Sequence, residues 1–186
     1  MTAEAWIGQA QTAAARINKP GVSSLDELRN RSGLEFLRDI AAGVLPLPPI
    51  GKTLNFFLLE ADEGRVLFQG TPTFDFYNPI GTVHGGWAAT LLDSCMACAV
   101  QTTLKKGQAY TTAELKLNLV RPLTDQTGPV RAEGKVIHAG RQIATSEGRL
   151  VGPDGKLYAH GTTTCMIFDL PKEQVKGEKQ KAKGKR

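Results

Sequence analysis

The sequence predicts an α+β fold in which a curled antiparallel sheet of about five or six strands wraps around one long central helix. Residues 86–104 are apolar around most of a helical circumference, which favours a helix buried inside the domain. Apolar and polar residues alternate downstream of it, as in residues 114–119, which is typical of strands with one buried face. A single apolar helix among strand-like segments favours a sheet that curls around it.

Helical signals dominate the N-terminal part of the chain. Residues 2–18 are rich in Ala, Gln and Arg and end before Pro20, which predicts a first helix. Ser23 and Ser24 can cap a second helix, which Gly33 either weakens or divides into two short ones. Residues 45–50 contain three prolines, which argue against both helix and central strand and predict an extended segment.

Strand signals dominate the rest. Residues 54–72 predict two strands around a turn at 61–64, and four more strands are expected to follow the long helix as a meander, ending with residues 157–168. We therefore divide the chain into an N-terminal helical extension at 1–44, a domain of sheet and helix at 45–170, and a Lys-rich tail at 171–186. The tail has almost no apolar residues and is expected to be disordered.

The net charge of +5 belongs to this tail. Residues 171–186 hold six Lys, one Arg and two Glu, a difference of five, so residues 1–170 are neutral and do not predict specific nucleic-acid binding. No apolar run approaches the roughly 20 residues of a membrane-spanning helix, which predicts no membrane insertion. Three cysteines are too few for a disulfide framework, and no signal-peptide pattern is present, so we expect a cytoplasmic location. No spacing of ligands predicts a metal site.

The densest polar cluster lies in residues 78–86, just before and at the start of the long helix. It includes Asn78, His84, Gly85 and Gly86. The glycines let the backbone approach a ligand closely. The first N–H groups of a helix are free and lie at the positive end of its dipole, so they can polarise a carbonyl oxygen.

Asp93 lies in the most apolar stretch of the same helix. An unpaired carboxylate is costly to bury, so Asp93 is expected either to meet a polar partner or to act as a base or nucleophile. It follows Gly85 by eight residues, which is about 12 Å along a helix, whereas groups acting on one carbonyl lie about 3 Å from the reacting atoms. If both act on one substrate, they come from different subunits, which predicts a homo-oligomer, a dimer or a dimer of dimers (a homotetramer), with shared sites.

The segment NPIGTVHGGWAATLLD, residues 78–93, resembles the signature of the PaaI-type hotdog-fold acyl-CoA thioesterases. The resemblance continues through residues 111–115, 140–141 and 155–161, and it covers about residues 45–168. It implies the hotdog fold, in which a curled sheet encloses one helix. It also implies hydrolysis of the thioester of a small, aromatic or medium-chain acyl-CoA, with no cofactor because coenzyme A is part of the substrate.

The resemblance implies catalytic roles for five residues. Asp93 is the expected catalytic carboxylate, and the N–H of Gly85 is expected to polarise the thioester carbonyl. Asn78 and His84 would position the water or the substrate. Thr112 would support the carboxylate through its hydroxyl.

Five further residues are candidates for substrate binding. Gly86 belongs to the helix start, Thr111 is the alternative supporting hydroxyl if the strand register differs by one, and Glu114 occupies a slot where the family often carries an acidic residue. Trp87 is large for its position and is expected to line or block the acyl channel, with packing under the sheet as the alternative. Arg141 is a candidate for binding a phosphate of coenzyme A, with a plain strand-edge charge as the alternative.

Two routes and two alternative functions stay open. Asp93 either activates water as a general base or attacks the carbonyl itself to give a mixed anhydride. A hotdog hydratase or dehydratase is the alternative enzyme, although glycines at the helix start argue against it. A catalytically silent acyl-CoA-binding hotdog protein is the alternative of another class, and an assay of turnover separates it from an enzyme.

Overall fold

The computed structural model describes residues 2–16 and 20–171. Within these ranges, four helices precede the sheet: α1 (Ala3–Arg16), α2 (Leu25–Asn30), α3 (Gly33–Ala41) and α4 (Pro49–Thr53). The long central helix is α5 (Gly85–Gln101). The strands are β1 (Phe56–Asp62), β2 (Arg65–Gly70), β3 (Gln108–Leu119), β4 (Val130–Ala139), β5 (Ile143–Val151) and β6 (Leu157–Asp169).

All six strands form one antiparallel sheet in the order β1-β2-β4-β5-β6-β3. The prediction of a four-strand meander after the helix is therefore wrong in one respect. Strands β4, β5 and β6 do follow one another, but β3 pairs with β6 instead of β4. The chain leaves β3 at one edge of the sheet and crosses to β4, which places β3 as an edge strand.

The sheet curls around α5, as predicted. Leu91, Leu92, Cys95 and Met96 of α5 have no exposed surface. The helix lies directly against the backbone of β4, because a Cβ atom at Gly134 would fall 2.1 Å from the carbonyl oxygen of Cys95. The predicted hotdog architecture, a helix enclosed by a curled sheet, is confirmed.

The second predicted helix is divided in two at Arg31 and Ser32, directly before Gly33. Ser24 begins α2 and Ser32 begins α3, each through a capping box in which its hydroxyl accepts a backbone N–H of the first turn. Gly33 is required there because a Cβ atom would lie 1.6 Å from the carbonyl oxygen of Gln101 at the end of α5. The start of α3 is thus pressed against the C-terminal end of the central helix.

The proline-rich segment is only partly extended. Residues 45–48 lie outside helices, as predicted, but Pro49 begins α4, so the expectation of an extended segment through residue 50 is wrong at its end. Proline is tolerated at the first helical position because the N–H that it lacks would have no partner inside the helix.

The helical extension shares the core of the domain. Leu37 and Ile40 belong to the same buried cluster as the side chains of α5. The proposed boundaries at 44 and 170 stay predictions, and the predicted disorder falls almost wholly on residues 172–186, which lie outside the described residues. No helix in the part of the chain that the structure describes is long and apolar enough to cross a membrane.

Candidate active site

The loop before α5 is held in shape by Asn78. Its side-chain oxygen accepts the N–H groups of Ile80 at 3.1 Å and of Thr82 at 3.2 Å, and its amide nitrogen donates to the Thr82 hydroxyl at 2.9 Å. The N–H of His84 donates to the carbonyl of Phe76 at 2.7 Å. These bonds fix the point at which the chain enters the helix, so Asn78 positions the helix start.

His84 is the N-cap of α5, and its Nδ1 atom accepts the N–H of Gly86 at 2.9 Å. Because Nδ1 is an acceptor, the proton of the neutral imidazole is on Nε2, which leaves a donor on this exposed side chain. The N–H of Gly85 has no acceptor among residues 2–16 and 20–171. It is the first N–H of α5 and lies at the positive end of the helix dipole.

An open cleft of about 300 Å³ lies in front of this helix start. His84 and Gly85 form one side of it. Arg121, just after β3, and Tyr158, at the start of β6, also line the cleft. Neither was predicted as a site residue. Arg121 lies only two residues beyond the end of β3, but its place beside Gly85 depends on the edge position of β3, which the sequence did not predict.

Asp93 lies further along the helix and is half-buried. The Thr112 hydroxyl of β3 donates a hydrogen bond to Asp93 Oδ1 at 3.0 Å. Thr111 is exposed and, as the neighbouring strand residue, points to the opposite face of the sheet. The structure therefore selects Thr112 over Thr111 as the partner of Asp93.

The groups around Asp93 are neutral. Burial raises the pKa of Cys98 to about 12, and the negative charge of Asp93 acts in the same direction. Burial likewise raises the pKa values of Tyr110 and Cys165 above their ordinary range. A thiol must ionise to become a good nucleophile, so Cys98 and Cys165 are poor candidates for a nucleophile beside Asp93.

One chain does not bring the two halves of the predicted site together. Asp93 meets Thr112, and Gly85 lies beside His84 and Gly86, but Gly85 and Asp93 are eight residues apart on the continuous helix α5. That spacing is about 12 Å along the helix axis and about 80° around it.

A family profile described as the Thioesterase superfamily matches residues 80–159. A crystal structure of a phenylacetic acid degradation-related protein from Ralstonia eutropha is 31% identical, with a TM-score of 0.63, over 73% of this chain and 99% of that one. The chain belongs to the PaaI-type hotdog thioesterase family.

Other relatives agree with this membership of the PaaI-type family. PaaI from Thermus thermophilus is 28% identical, with a TM-score of 0.57, over 63% of this chain and 97% of that one. A Halobacterium salinarum protein, whose name classes it provisionally as an esterase, is 37% identical over 73 residues, 39% of this chain and 48% of that protein. The chain spans about half the length of the curated relatives that it matches.

Trp87 of this PaaI-type chain is a core residue, and the prediction that it lines the acyl channel is wrong for the single chain. The ring is 3% exposed, stacks on Phe76 at 6.0 Å between centroids, and donates its indole N–H to the carbonyl of Leu54 at 2.8 Å. The alternative of packing under the sheet is the one observed. A satisfied indole N–H inside the core explains how this large side chain is accommodated.

Of the remaining candidates, Glu114 and Arg141 do not line the cleft, whereas Gly86 contacts His84 at its edge. Glu114 is exposed beside an irregularity of β3 and accepts a hydrogen bond from the Thr164 hydroxyl at 3.2 Å. Arg141 is exposed in the turn between β4 and β5, away from the cleft, where Arg121 is the lining cation. Gly86 uses its N–H on His84, so it supports the ring and leaves Gly85 as the donor. The described residues contain no group of three or more His, Cys, Asp or Glu side chains that could hold a metal ion.

Proposed function

We propose that this protein hydrolyses acyl-CoA thioesters, with Asp93 as the catalytic carboxylate and the N–H of Gly85 as the donor to the carbonyl oxygen. The observation that carries the proposal is the pair of features on α5: a carboxylate oriented by the Thr112 hydroxyl, and an unpaired first N–H beside His84. Family membership supports the same chemistry.

The reaction follows from the charges that develop. Attack on the thioester carbon places negative charge on the carbonyl oxygen, where an N–H at the positive end of a helix stabilises it. As a general base, Asp93 takes a proton from the attacking water while the new C–O bond forms. The C–S bond then breaks, and the coenzyme A sulfur leaves as a thiolate that is protonated to the thiol. In the anhydride route, Asp93 itself attacks, and water cleaves the resulting anhydride.

The proposed site is shared between subunits. Two antiparallel α5 helices related by a twofold axis would bring the partner subunit's Gly85 to Asp93 and give two equivalent sites. The edge strand β3 supports self-association, because it has 12 residues and one unpaired edge: Leu115 and Leu119 on it are exposed by 37% and 55%, and Val120 just after it by 53%. A dimer, or a dimer of dimers, is therefore part of the proposal.

The coenzyme A moiety is expected to lie in the cleft at Gly85. Arg121 offers a permanently charged guanidinium to a phosphate there, the role for which the sequence made Arg141 a candidate. The reaction needs no separate cofactor. A cytoplasmic location stays part of the proposal, in keeping with the free thiols of Cys95, Cys98 and Cys165.

The test is a panel of acyl-CoA substrates with a free-thiol readout. The panel includes acetyl, medium-chain linear, benzoyl and phenylacetyl thioesters, because the expected acyl group is small, aromatic or of medium length. We expect turnover on at least one class and a fall in kcat of about 100-fold or more in Asp93→Asn, the scale of a lost general base.

Ser94→Ala is the matched control, since Ser94 is the next residue on α5 and its hydroxyl donates only to the carbonyl of Thr90. Wild-type turnover in Asp93→Asn would exclude Asp93 as the catalytic carboxylate. Binding of acyl-CoA without any turnover in the wild type would favour the silent binding protein instead.

A further inference from the structure

A second cavity, of about 320 Å³, lies against the C-terminal half of α5. The helical extension supplies one wall through Leu28, Phe36, Leu37 and Ile40, and the domain supplies Cys98 and Tyr110. Nearly all of its lining side chains are apolar. The mechanism proposed above uses none of them.

The size of this cavity points to a ligand. The cavity is about as open to the surface as the cleft at Gly85, so it is a pocket that a ligand can enter and not a sealed void in the core. Ligand pockets span about 300–1,000 Å³, are mostly apolar and carry a few polar groups. This cavity lies at the lower end of that range, which suits an apolar group of moderate size.

Its position connects the cavity to Asp93 along two elements. Cys98 follows Asp93 by five residues on α5, which is about 7.5 Å along the helix axis and about 140° around it, so β3 supplies the closer link. Tyr110 precedes Thr112, the partner of Asp93, by two residues on β3, so both side chains face the same side of the strand about 7 Å apart. The cavity therefore begins one turn or so beyond the carboxylate, on the side away from Gly85 of the same chain.

We propose that this cavity receives the distal part of a linear, medium-length acyl chain, and that the N-terminal extension is the wall that sets the chain length. The inference rests on the proposed thioesterase function, because it is the thioester at Asp93 that would direct the chain toward Cys98 and Tyr110. An acetyl group ends before the cavity, whereas a medium chain reaches it. The neutral Cys98 thiol and Tyr110 hydroxyl, whose pKa values burial raises, add no charge that would repel an alkyl chain.

The experiment varies acyl length and one wall residue together. Leu28 is half-buried on α2, so Leu28→Trp can place its larger ring in the cavity without disturbing the deeper core. In the wild type, each added methylene should raise kcat/KM about threefold to fourfold until the cavity is full. Leu28→Trp should lower kcat/KM for decanoyl-CoA at least tenfold, shift the optimum to shorter chains and leave acetyl-CoA turnover unchanged.

Leu25→Trp is the matched control, because Leu25 lies on the same helix but is 56% exposed and does not line the cavity. It should leave the chain-length profile unchanged. An equal effect of Leu28→Trp on acetyl and decanoyl substrates would overturn the proposal, as would a dominant preference for phenylacetyl-CoA that Leu28→Trp does not alter.

A binding measurement separates this proposal from the proposed function. Decyl-CoA and ethyl-CoA thioethers cannot be hydrolysed, so calorimetry with them reports the cavity even if the protein turns over no thioester. We expect decyl-CoA to bind at least tenfold more tightly than ethyl-CoA, and Leu28→Trp to abolish that difference. Equal affinities in the wild type would exclude the cavity as an acyl site, whereas a chain-length effect on binding without hydrolysis would exclude only the enzyme.

Discussion

The two halves of the central helix α5 face spaces of similar size and opposite chemistry. The N-terminal half opens on a cleft of about 300 Å³ that exposes His84, the N–H of Gly85 and the guanidinium of Arg121. The C-terminal half borders a cavity of about 320 Å³ with an apolar lining. Residues 80–159, which match the family profile, form almost the whole cleft. The cavity takes one wall from residues 28–48, which precede that matched segment.

The helix itself explains this division. Its first turn presents the unpaired N–H of Gly85, which suits a carbonyl or phosphate oxygen. Its last turn is covered by α3, whose first residue, Gly33, is pressed against the carbonyl of Gln101. The candidate reactive groups therefore come from the segment that matches the family, and part of the shape of the cavity comes from the N-terminal extension. Turnover and chain-length preference should therefore respond to different substitutions.

The largest effect is expected at the N-terminal half, from removal of the Gly85 N–H. Gly85 is the first residue of α5, where proline is tolerated, and His84 already has φ −59° and ψ 133°, a conformation that suits a residue before proline. Gly85→Pro should preserve the helix and lower kcat by about 100- to 1,000-fold, the cost of losing one oxyanion donor. The measurement is steady-state turnover on the best acyl-CoA, with circular dichroism to check the fold.

Gly85→Ala is the control, since it adds the same Cβ atom near the Leu119 side chain but keeps the N–H. It should retain most of the activity. An equal loss in the alanine and proline variants would show that space in the cleft, not the N–H, limits the reaction.

A mixing experiment tests whether the two halves meet across subunits. Asp93→Asn and Gly85→Pro subunits, each inactive alone, should form hybrid dimers in which one of the two sites is intact. With random exchange, half of the dimers are hybrids, so about one quarter of the wild-type activity should return. Exchange verified by mass spectrometry with no recovered activity would place both groups in one chain's site and rule out the shared arrangement.

The next effect concerns the Thr112 hydroxyl. Thr112→Val keeps the shape but removes the hydrogen bond to Asp93, and a bond to a charged group contributes about 1.5–3 kcal/mol. We expect a fall in kcat of about tenfold or more, with recovery in Thr112→Ser, which restores the hydroxyl. Thr111→Val, one residue away on the other face of β3, should leave kcat unchanged. A loss that Thr112→Ser does not restore would indicate a packing role.

The sequence predicted what depends on local pattern. The apolar circumference of α5 and the alternation along β3 depend on neighbouring residues, so both elements were confirmed. The choice between Thr111 and Thr112 depended on strand register, which alternation alone does not fix when a strand is irregular, as β3 is after Thr112.

Long-range pairings were the part that the sequence left open. Consecutive strands usually pair with each other, so the pairing of β3 with β6 was not expected. Trp87 was expected in the acyl channel because it is a large residue directly after the glycines of the helix start, whereas its hydrogen-bond acceptor, the carbonyl of Leu54, lies 33 residues away in the chain. The sequence did not predict the apolar cavity for the same reason, because its walls combine residues 28–48, Leu58, Phe68 and residues 98–110.

The smallest effect on turnover is expected from α1, which belongs to the extension but lies away from both spaces. Trp6 packs there under the Arg131 guanidinium, 4.2 Å from the ring centroid, and its carbonyl accepts a hydrogen bond from buried Gln69 at 3.0 Å. A desolvated cation–π contact contributes about 2 kcal/mol, so Trp6→Ala should lower amide-exchange protection of α1 about 30-fold while leaving kcat and the chain-length profile unchanged. Ile7→Ala, on the 45% exposed neighbour, should change neither. A changed chain-length profile in Trp6→Ala would mean that α1 also holds the cavity wall in place, and the specificity function would then extend over the whole N-terminal region instead of α2 and α3 alone.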